Sequence, residues 1–225
     1  MFAAIAGSYD LNNRIHSLGL DQSWRRFAVR QAGVGQGDRV LDVACGTGDL
    51  TEAFARTPAA AVTGLDFTRE MLDVAGRRRS TLPETAARKI TYVEGDAQNL
   101  PFADGSFDIV SIAFGIRNVT SPAAAFLEFL RVLRPGGRLV VLEFDRPSNP
   151  LVRAFNDLYC ARVMPRTATL ISGDKSGAYR YLPASVESFM TRDEVVRAIS
   201  DAGFADVTDR ALTFGLCVCY RSIRT

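Results

Sequence analysis

The sequence predicts an α/β fold: a doubly wound, mostly parallel seven-stranded sheet that closes with a C-terminal antiparallel hairpin. Three observations predict it. Five short runs rich in Val, Ile and Leu, at 39–44, 61–65, 90–94, 107–113 and 138–144, have the continuous apolar character of strands buried on both faces. Helix-like stretches at 50–56, 69–79 and 123–133 separate most of these runs, and regular alternation of strand and helix builds a parallel sheet. Two further runs at 207–212 and 215–221 read as a hairpin that finishes the sheet.

Taken in order, residues 9–32 form a helical region interrupted around Gly19. A core does not require it, so it is either a lid over a substrate pocket or ordinary covering of a sheet face. Thr68 sits where it can cap the helix at 69–79, whose first turn carries Glu70. In the helix at 123–133, Phe126, Phe129, Leu130 and Leu133 recur at spacings of three and four, and Pro135-Gly136-Gly137 stops it before the fifth strand. Beyond that strand, 149–164 reads as a helix, 165–188 as a long irregular stretch and second lid candidate, and 192–202 as a helix ending at Gly203. The organisation is one domain over 1–225, with a helical cap at 1–35, a core at 36–145, a substrate-side segment at 146–190 and a closing helix and hairpin at 191–225.

Composition narrows the functional classes. With 47% hydrophobic and 23% charged residues the chain has apolar surface to bury and little to suggest disorder. Its formal charge of +2 gives no support to a nucleic-acid groove, and no nucleic-acid partner is expected. The start, Met1-Phe2-Ala3-Ala4-Ile5-Ala6-Gly7, lacks signal-peptide character, and Cys45, Cys160, Cys217 and Cys219 are scattered, so the expected location is the cytoplasm. Apolar runs such as 109–116 are far shorter than the roughly 18 residues a membrane span needs, leaving peripheral membrane contact as the form any association would take. No metal site is expected: Cys217 and Cys219 share a strand face as packing, and His16, the one histidine, has a surface or packing role.

The chemistry concentrates in Val40-Leu41-Asp42-Val43-Ala44-Cys45-Gly46-Thr47-Gly48-Asp49-Leu50-Thr51, a strand running through a glycine turn into a helix. Such a turn lets backbone approach a ligand closely. Asp66 ends the second strand, where a carboxylate can take both hydroxyls of a ribose. A dinucleotide fingerprint would place a third glycine where Thr51 stands, so a pyrophosphate is poorly served and a nicotinamide-dependent oxidoreductase is disfavoured. S-adenosylmethionine carries no phosphate, and Asp42 lies where a carboxylate can meet its ammonium group. Asp96, in Glu94-Gly95-Asp96-Ala97 after the third strand, can take an adenine amino group.

Asp42, Gly46, Gly48, Asp66, Asp96 and Asp108, read as successive strand ends, resemble the class I S-adenosylmethionine methyltransferases, whose fold is Rossmann-like. This resemblance covers about 36–145, with Ala44 replacing the first glycine of the usual pattern. A narrower resemblance runs nearly end to end, to the family that C-methylates polyprenylated quinols in menaquinone and ubiquinone biosynthesis. It rests on Tyr9-Asp10-Leu11-Asn12-Asn13, Ser17-Leu18-Gly19, Trp24-Arg25-Arg26, Gly64-Leu65-Asp66-Phe67, Phe114-Gly115-Ile116-Arg117-Asn118-Val119, Arg131-Val132-Leu133-Arg134-Pro135-Gly136-Gly137 and Leu142-Glu143-Phe144. Most specific are Ile171-Ser172-Gly173-Asp174-Lys175 and Tyr179-Arg180-Tyr181-Leu182-Pro183-Ala184-Ser185. His16, where an apolar residue is expected, and the cysteines of the hairpin depart from that family, which bears on substrate choice more than on methyl transfer.

The resemblance implies a cofactor set of Asp42, Gly46, Thr47, Gly48, Thr51, Asp66, Phe67, Met71, Asp96 and Ala97. It implies a polyprenylated quinol as substrate and a homodimer or a complex of quinone-pathway enzymes as assembly. A sulfonium methyl is already an activated electrophile, so the protein must align an acceptor carbon with it and exclude water. A ring carbon becomes nucleophilic when a neighbouring hydroxyl is deprotonated, and a phenol with a pKa near 10 needs its phenolate stabilised. Arg117 is the first candidate for that stabilisation, with Asn118, Asp10 and Tyr9 beside it as catalytic candidates and Ser172, Tyr179 and Tyr181 on the substrate side. The stretch containing Arg153, Phe155, Leu158, Tyr159, Arg162, Val163 and Met164 has apolar residues at helical spacing; such a stretch is usually core, and here it is also a candidate groove for an isoprenoid tail. An O- or N-methyltransferase of another small molecule, or a scaffold protein that keeps the fold, are the remaining alternatives.

Overall fold

The computed structural model describes residues 14–15, 17, 19–163 and 178–225. Its helices are α1 (Leu20–Ala32), α2 (Asp49–Ala55), α3 (Arg69–Arg79), α4 (Glu84–Ala87), α5 (Pro122–Val132), α6 (Pro150–Leu158), α7 (Ala178–Ser188) and α8 (Arg192–Asp201). Its strands are β1 (Arg39–Val43), β2 (Ala61–Asp66), β3 (Ile90–Glu94), β4 (Phe107–Ala113), β5 (Leu133–Phe144), β6 (Phe204–Leu212) and β7 (Cys217–Arg224). They form one sheet in the order β3-β2-β1-β4-β5-β7-β6. The first five pair in parallel, and β7 lies antiparallel to both β5 and β6.

Alternation along each strand feeds two cores. Leu41 and Val43 of β1 join Val110, Ile112, Leu139 and Val141 on one face, under Phe126 and Phe129 of α5 and Ile199 of α8. Val40 joins Val62, Ile109, Val140 and Leu142 on the other, under Phe54 of α2 and Trp24, Ala28 and Ala32 of α1. Burying this apolar surface on both faces is the main drive to the fold. Of the N-terminal helical region, the described helix α1 covers this face of the sheet, and Cys217 and Cys219 are packing residues of that same core.

Several local expectations need correction. Val132, not Leu133, ends α5, and Pro135-Gly136-Gly137 lies inside β5 rather than before it. Leu133 already pairs with Phe107, and Gly136 at φ 75 makes a bulge before pairing resumes at Arg138. Thr68 occupies the cap position of α3 without a side-chain capping bond, its backbone N–H going instead to Asp66. Within the stretch expected to be irregular, 178–188 is a helix that contains Pro183. Proline removes one helical hydrogen bond, but α7 packs on the short 3-10 turn Ile116–Asn118 and buries Ser185 against it. The amphipathic stretch after β5 forms α6 and a π turn at Tyr159–Val163, and no residue of α6 is buried, so it is not core.

The order of strands reverses between β1 and β4, each of which continues outward on its other side. A crevice opens at such a point above the carboxyl ends of the two strands. Ala44, just beyond β1, and Phe114, just beyond β4, both hold left-handed backbone at φ 51 and 58. Non-glycine residues in that region are strained, and strain of this kind gathers at functional sites. The two turns touch: a methyl group added at Gly115 would lie 2.5 Å from the Ala44 Cβ. Gly115→Ala is therefore expected to lower stability by about 1–3 kcal/mol, through overpacking alone because φ is −114 there. Urea unfolding of the variant against the parent protein measures it.

Candidate cofactor and active site

Three carboxylates stand at or just beyond the carboxyl ends of three consecutive strands: Asp42 on β1, Asp66 on β2 and Asp96 after β3. Asp42, the fourth residue of β1, is 1% exposed and accepts a 2.6 Å hydrogen bond from the Thr51 hydroxyl on α2. Burial pushes its carboxyl up to about 7, against the pull of the Thr51 bond and of the Arg25 charge. Asp66 ends β2, where its two oxygens accept from the backbone N–H groups of Gly46 and Thr68, each at 2.8 Å. Burial raises its pKa as well, more than these bonds lower it. A carboxylate has about four lone-pair positions, so two backbone bonds leave acceptors for a ribose diol.

The glycine turn is built around this arrangement. Gly46 has φ 57 and an added Cβ would meet nothing within 4 Å, so the residue is needed for its backbone while the space beside it stays open. Gly48, at φ 92, has the opposite reason: a Cβ there would fall 2.4 Å from the Tyr92 hydroxyl. Thr47 and Thr51 are both buried, with Thr47 facing Arg78 of α3, which also pairs with Asp49 at 2.6 Å. Beyond β3, Asp96 accepts from the backbone N–H of Gln98 at 2.9 Å, and the Gln98 side-chain Oε1 in turn accepts from the N–H of Ser121 at the head of α5. Ala97 and Met71 are buried, whereas Phe67 stands 77% exposed beside Asp66.

Asp108 does not belong with these groups. It lies near the opening of β4, at the opposite end of the sheet, where it accepts from the N–H of Arg39 at 2.7 Å and pairs with Arg134 at 2.5 Å. The series of strand ends counted Asp108 although the run at 107–113 already makes it the second residue of its strand.

On the β4 side Arg117 lies in the 3-10 turn with its side chain 5% exposed. Its Nη1 donates to the Glu143 carboxylate at 2.6 Å and to the Phe114 carbonyl at 2.7 Å, and its Nε donates to the Ser185 hydroxyl of α7 at 3.3 Å. Its guanidinium also faces the Phe144 ring at 5.3 Å. None of these bonds among the described residues uses Nη2. Glu143 offsets the charge of Arg117, and these bonds fix the guanidinium in place. Asn118 is exposed, with its amide near the Phe114 carbonyl. Tyr9, Asp10, Ser172 and His16 lie outside the described residues, and for Tyr179 and Tyr181 only the helical backbone of α7 is described.

A family model, the ubiE/COQ5 methyltransferase family, matches residues 1–224. The chain belongs to that family. A relative from Ectopseudomonas mendocina named ubiquinone/menaquinone biosynthesis C-methyltransferase UbiE is 43% identical over 226 residues, spanning 100% of this chain and 87% of its own length. One of the same name from Geotalea daltonii is 41% identical, covering 98% of this chain and 93% of its own. Among solved structures, a chain from the complex of the Haloferax volcanii Trm112 methyltransferase activator with a methyltransferase aligns at TM-score 0.71 and 18% identity, over 100% of this chain and 97% of the other. A SAM-dependent methyltransferase from Aquifex aeolicus aligns at TM-score 0.63 and 17% identity, over 89% of each chain. These structures share the fold. This family member takes S-adenosylmethionine as its cofactor, and the crevice suits that molecule: a buried carboxylate near neutrality for an ammonium, a second for a ribose, and an open glycine between them.

Glu143, Ser185 and Arg25 stand in the motifs that carry the family resemblance, yet the sequence alone assigns them no role at the site. Glu143 carried a signal, being a lone carboxylate in the apolar run Val140-Val141-Leu142-Glu143-Phe144, but its partner lies 26 residues away. In the ligand-free protein the Asp42 carboxyl, observed by carbon-13 NMR, is expected to titrate near 7, and Thr51→Val to move it higher by removing the hydroxyl that favours the ionised form. Because the folded value lies above the ordinary 3.8, this group's favourable contribution to stability is complete below 3.8 and is lost as pH rises toward 7.

Proposed function

We propose that this chain methylates a ring carbon of a polyprenylated quinol, a demethylmenaquinol, a methoxybenzoquinol or both. The observation that carries the reading is the match along the whole chain to relatives named as ubiquinone/menaquinone biosynthesis C-methyltransferases. When bound, S-adenosylmethionine supplies an activated methyl group. Asp42 holds the ammonium of its methionine part, Asp66 the ribose hydroxyls and Asp96 the adenine amino group, with Ala97 and Met71 as apolar walls and Phe67 as an exposed ring for the base to meet. Gly46, Thr47, Gly48 and Thr51 shape the turn around it.

Arg117 acts on the acceptor. Its Nη1 bonds the carbonyl of Phe114, just past the end of β4, which supports an acceptor-side role for the guanidinium. The Nη2 donors are directed at a developing phenolate oxygen, and Glu143 and Ser185 fix the group so that little reorganisation is needed during reaction. Asn118, Tyr9, Asp10, Ser172, Tyr179 and Tyr181 complete the acceptor side as positioning or proton-passing candidates. Labelled S-adenosylmethionine offered with each reduced acceptor tests the reading. Turnover of either, reduced about 100-fold or more in Arg117→Ala, is the expected result. Retained cofactor binding with no methylation of either acceptor would sink the quinol assignment and leave the methyltransferase.

A polyprenyl tail places the acceptor in a lipid bilayer, and α6 is suited to approach one. It follows β5 directly, its cap is made by Asn149 accepting from Leu151 and Val152, and it exposes Leu151 at 82% and Phe155 at 73% on one face with Leu158. Arg153 is exposed on the same helix. No helix among the described residues is long and apolar enough to cross a membrane, so the contact is peripheral. The paired change Leu151→Ser and Phe155→Ser is expected to cut turnover of a long-tailed acceptor in vesicles severalfold while sparing a short-tailed acceptor in solution. Equal loss on both would contradict a membrane role for α6. Self-association, or assembly with other enzymes of the quinone pathway, accords with the same reading, and sedimentation of the purified chain decides the first.

A further inference from the structure

The amino-acid end of S-adenosylmethionine is a zwitterion, and the crevice described so far answers only half of it. Asp42, Asp49 and Asp66 make its floor acidic, which suits the ammonium and repels the carboxylate on the same carbon. A cation must stand close to this floor. Arg78 is tied to Asp49 at 2.6 Å and Glu52 at 3.0 Å. Arg25 of α1 is placed differently.

Arg25 is buried and spans the two walls of the crevice. Its guanidinium faces the Phe114 ring at 5.2 Å, and Phe114 is the strained residue just past β4. On the other side, Gln22 of the same helix bonds both Asp21 at 3.1 Å and Asp49, the first residue of α2, at 3.0 Å. Trp24 anchors the helix by donating to the Thr213 hydroxyl at 2.8 Å. Arg25 Nη1 donates to Asp21 at 2.8 Å, and no other Arg25 hydrogen bond is made among the described residues. Asp21 shares its charge further, accepting from the Ser17 hydroxyl at 2.8 Å. The Arg25 charge is felt at both Asp42 and Asp49.

We propose that Arg25 forms a carboxylate subsite: its guanidinium holds the α-carboxylate of the cofactor's methionine moiety, opposite the ammonium at Asp42, so that α1 completes the cofactor site. Nη2 and Nε supply a planar pair of donors suited to a carboxylate, and Asp21 sets their orientation. The inference rests on S-adenosylmethionine as the cofactor, and the test separates the two.

Calorimetry compares S-adenosylmethionine with its decarboxylated form, which keeps the adenosine, sulfonium and ammonium and lacks only the carboxylate. Arg25→Gln is expected to weaken S-adenosylmethionine by about 30-fold or more and to leave the decarboxylated ligand within about threefold, with Arg25→Lys recovering part of the loss. If Arg25→Gln unfolds, the pair Asp21→Asn with Arg25→Gln, which removes both charges, carries the same comparison. Equal weakening of both ligands, or no weakening of either, overturns the subsite. Wild-type protein that binds neither ligand overturns the cofactor assignment itself and the subsite with it.

Discussion

The structure depends on one topological constraint, the reversal of strand order between β1 and β4. At that point the crossover to each neighbouring strand leaves in opposite directions, so a crevice opens above the two carboxyl ends. The described groups of the site come from the elements around it. Asp42 and the glycine turn come from β1, Asp66 and Asp96 from the strands beyond it, Arg117 from the turn after β4, and Glu143 from β5. The cost appears in the backbone, as left-handed Ala44 and Phe114, and in the tight meeting of Ala44 with Gly115. Two apolar cores, one on each face, hold that strain in place.

Burial sets the electrostatics on both sides of the crevice, with different results. Asp42 has one hydroxyl donor and a more distant positive charge, too little to offset its desolvation, so it rests near neutrality and can respond to a ligand. Arg117 meets the same problem with a full partner. Glu143 lies at 2.6 Å, and the two side chains form a buried ion pair.

The elements that came later in the chain link these sides to the exterior. Ser185 of α7 accepts from the Nε of Arg117, so α7 is tied to the turn that carries Arg117. α6 leaves the end of β5 with its apolar residues turned to solvent.

By itself the sequence determined the architecture and the cofactor turn. Apolar runs of strand length alternating with helical periodicity admit few arrangements, and Asp42, Gly46, Gly48 and Asp66 carry their meaning through local spacing. What the tertiary structure decided is pairing across distance. Asp108 found its partners, Arg39 and Arg134, at the far end of the sheet from the crevice. A helix formed through Pro183 because docking on the turn that carries Arg117 outweighs one missing backbone bond. Glu143 found Arg117, and Arg25 was carried over the crevice, because the fold closes separations along the chain that no local pattern records.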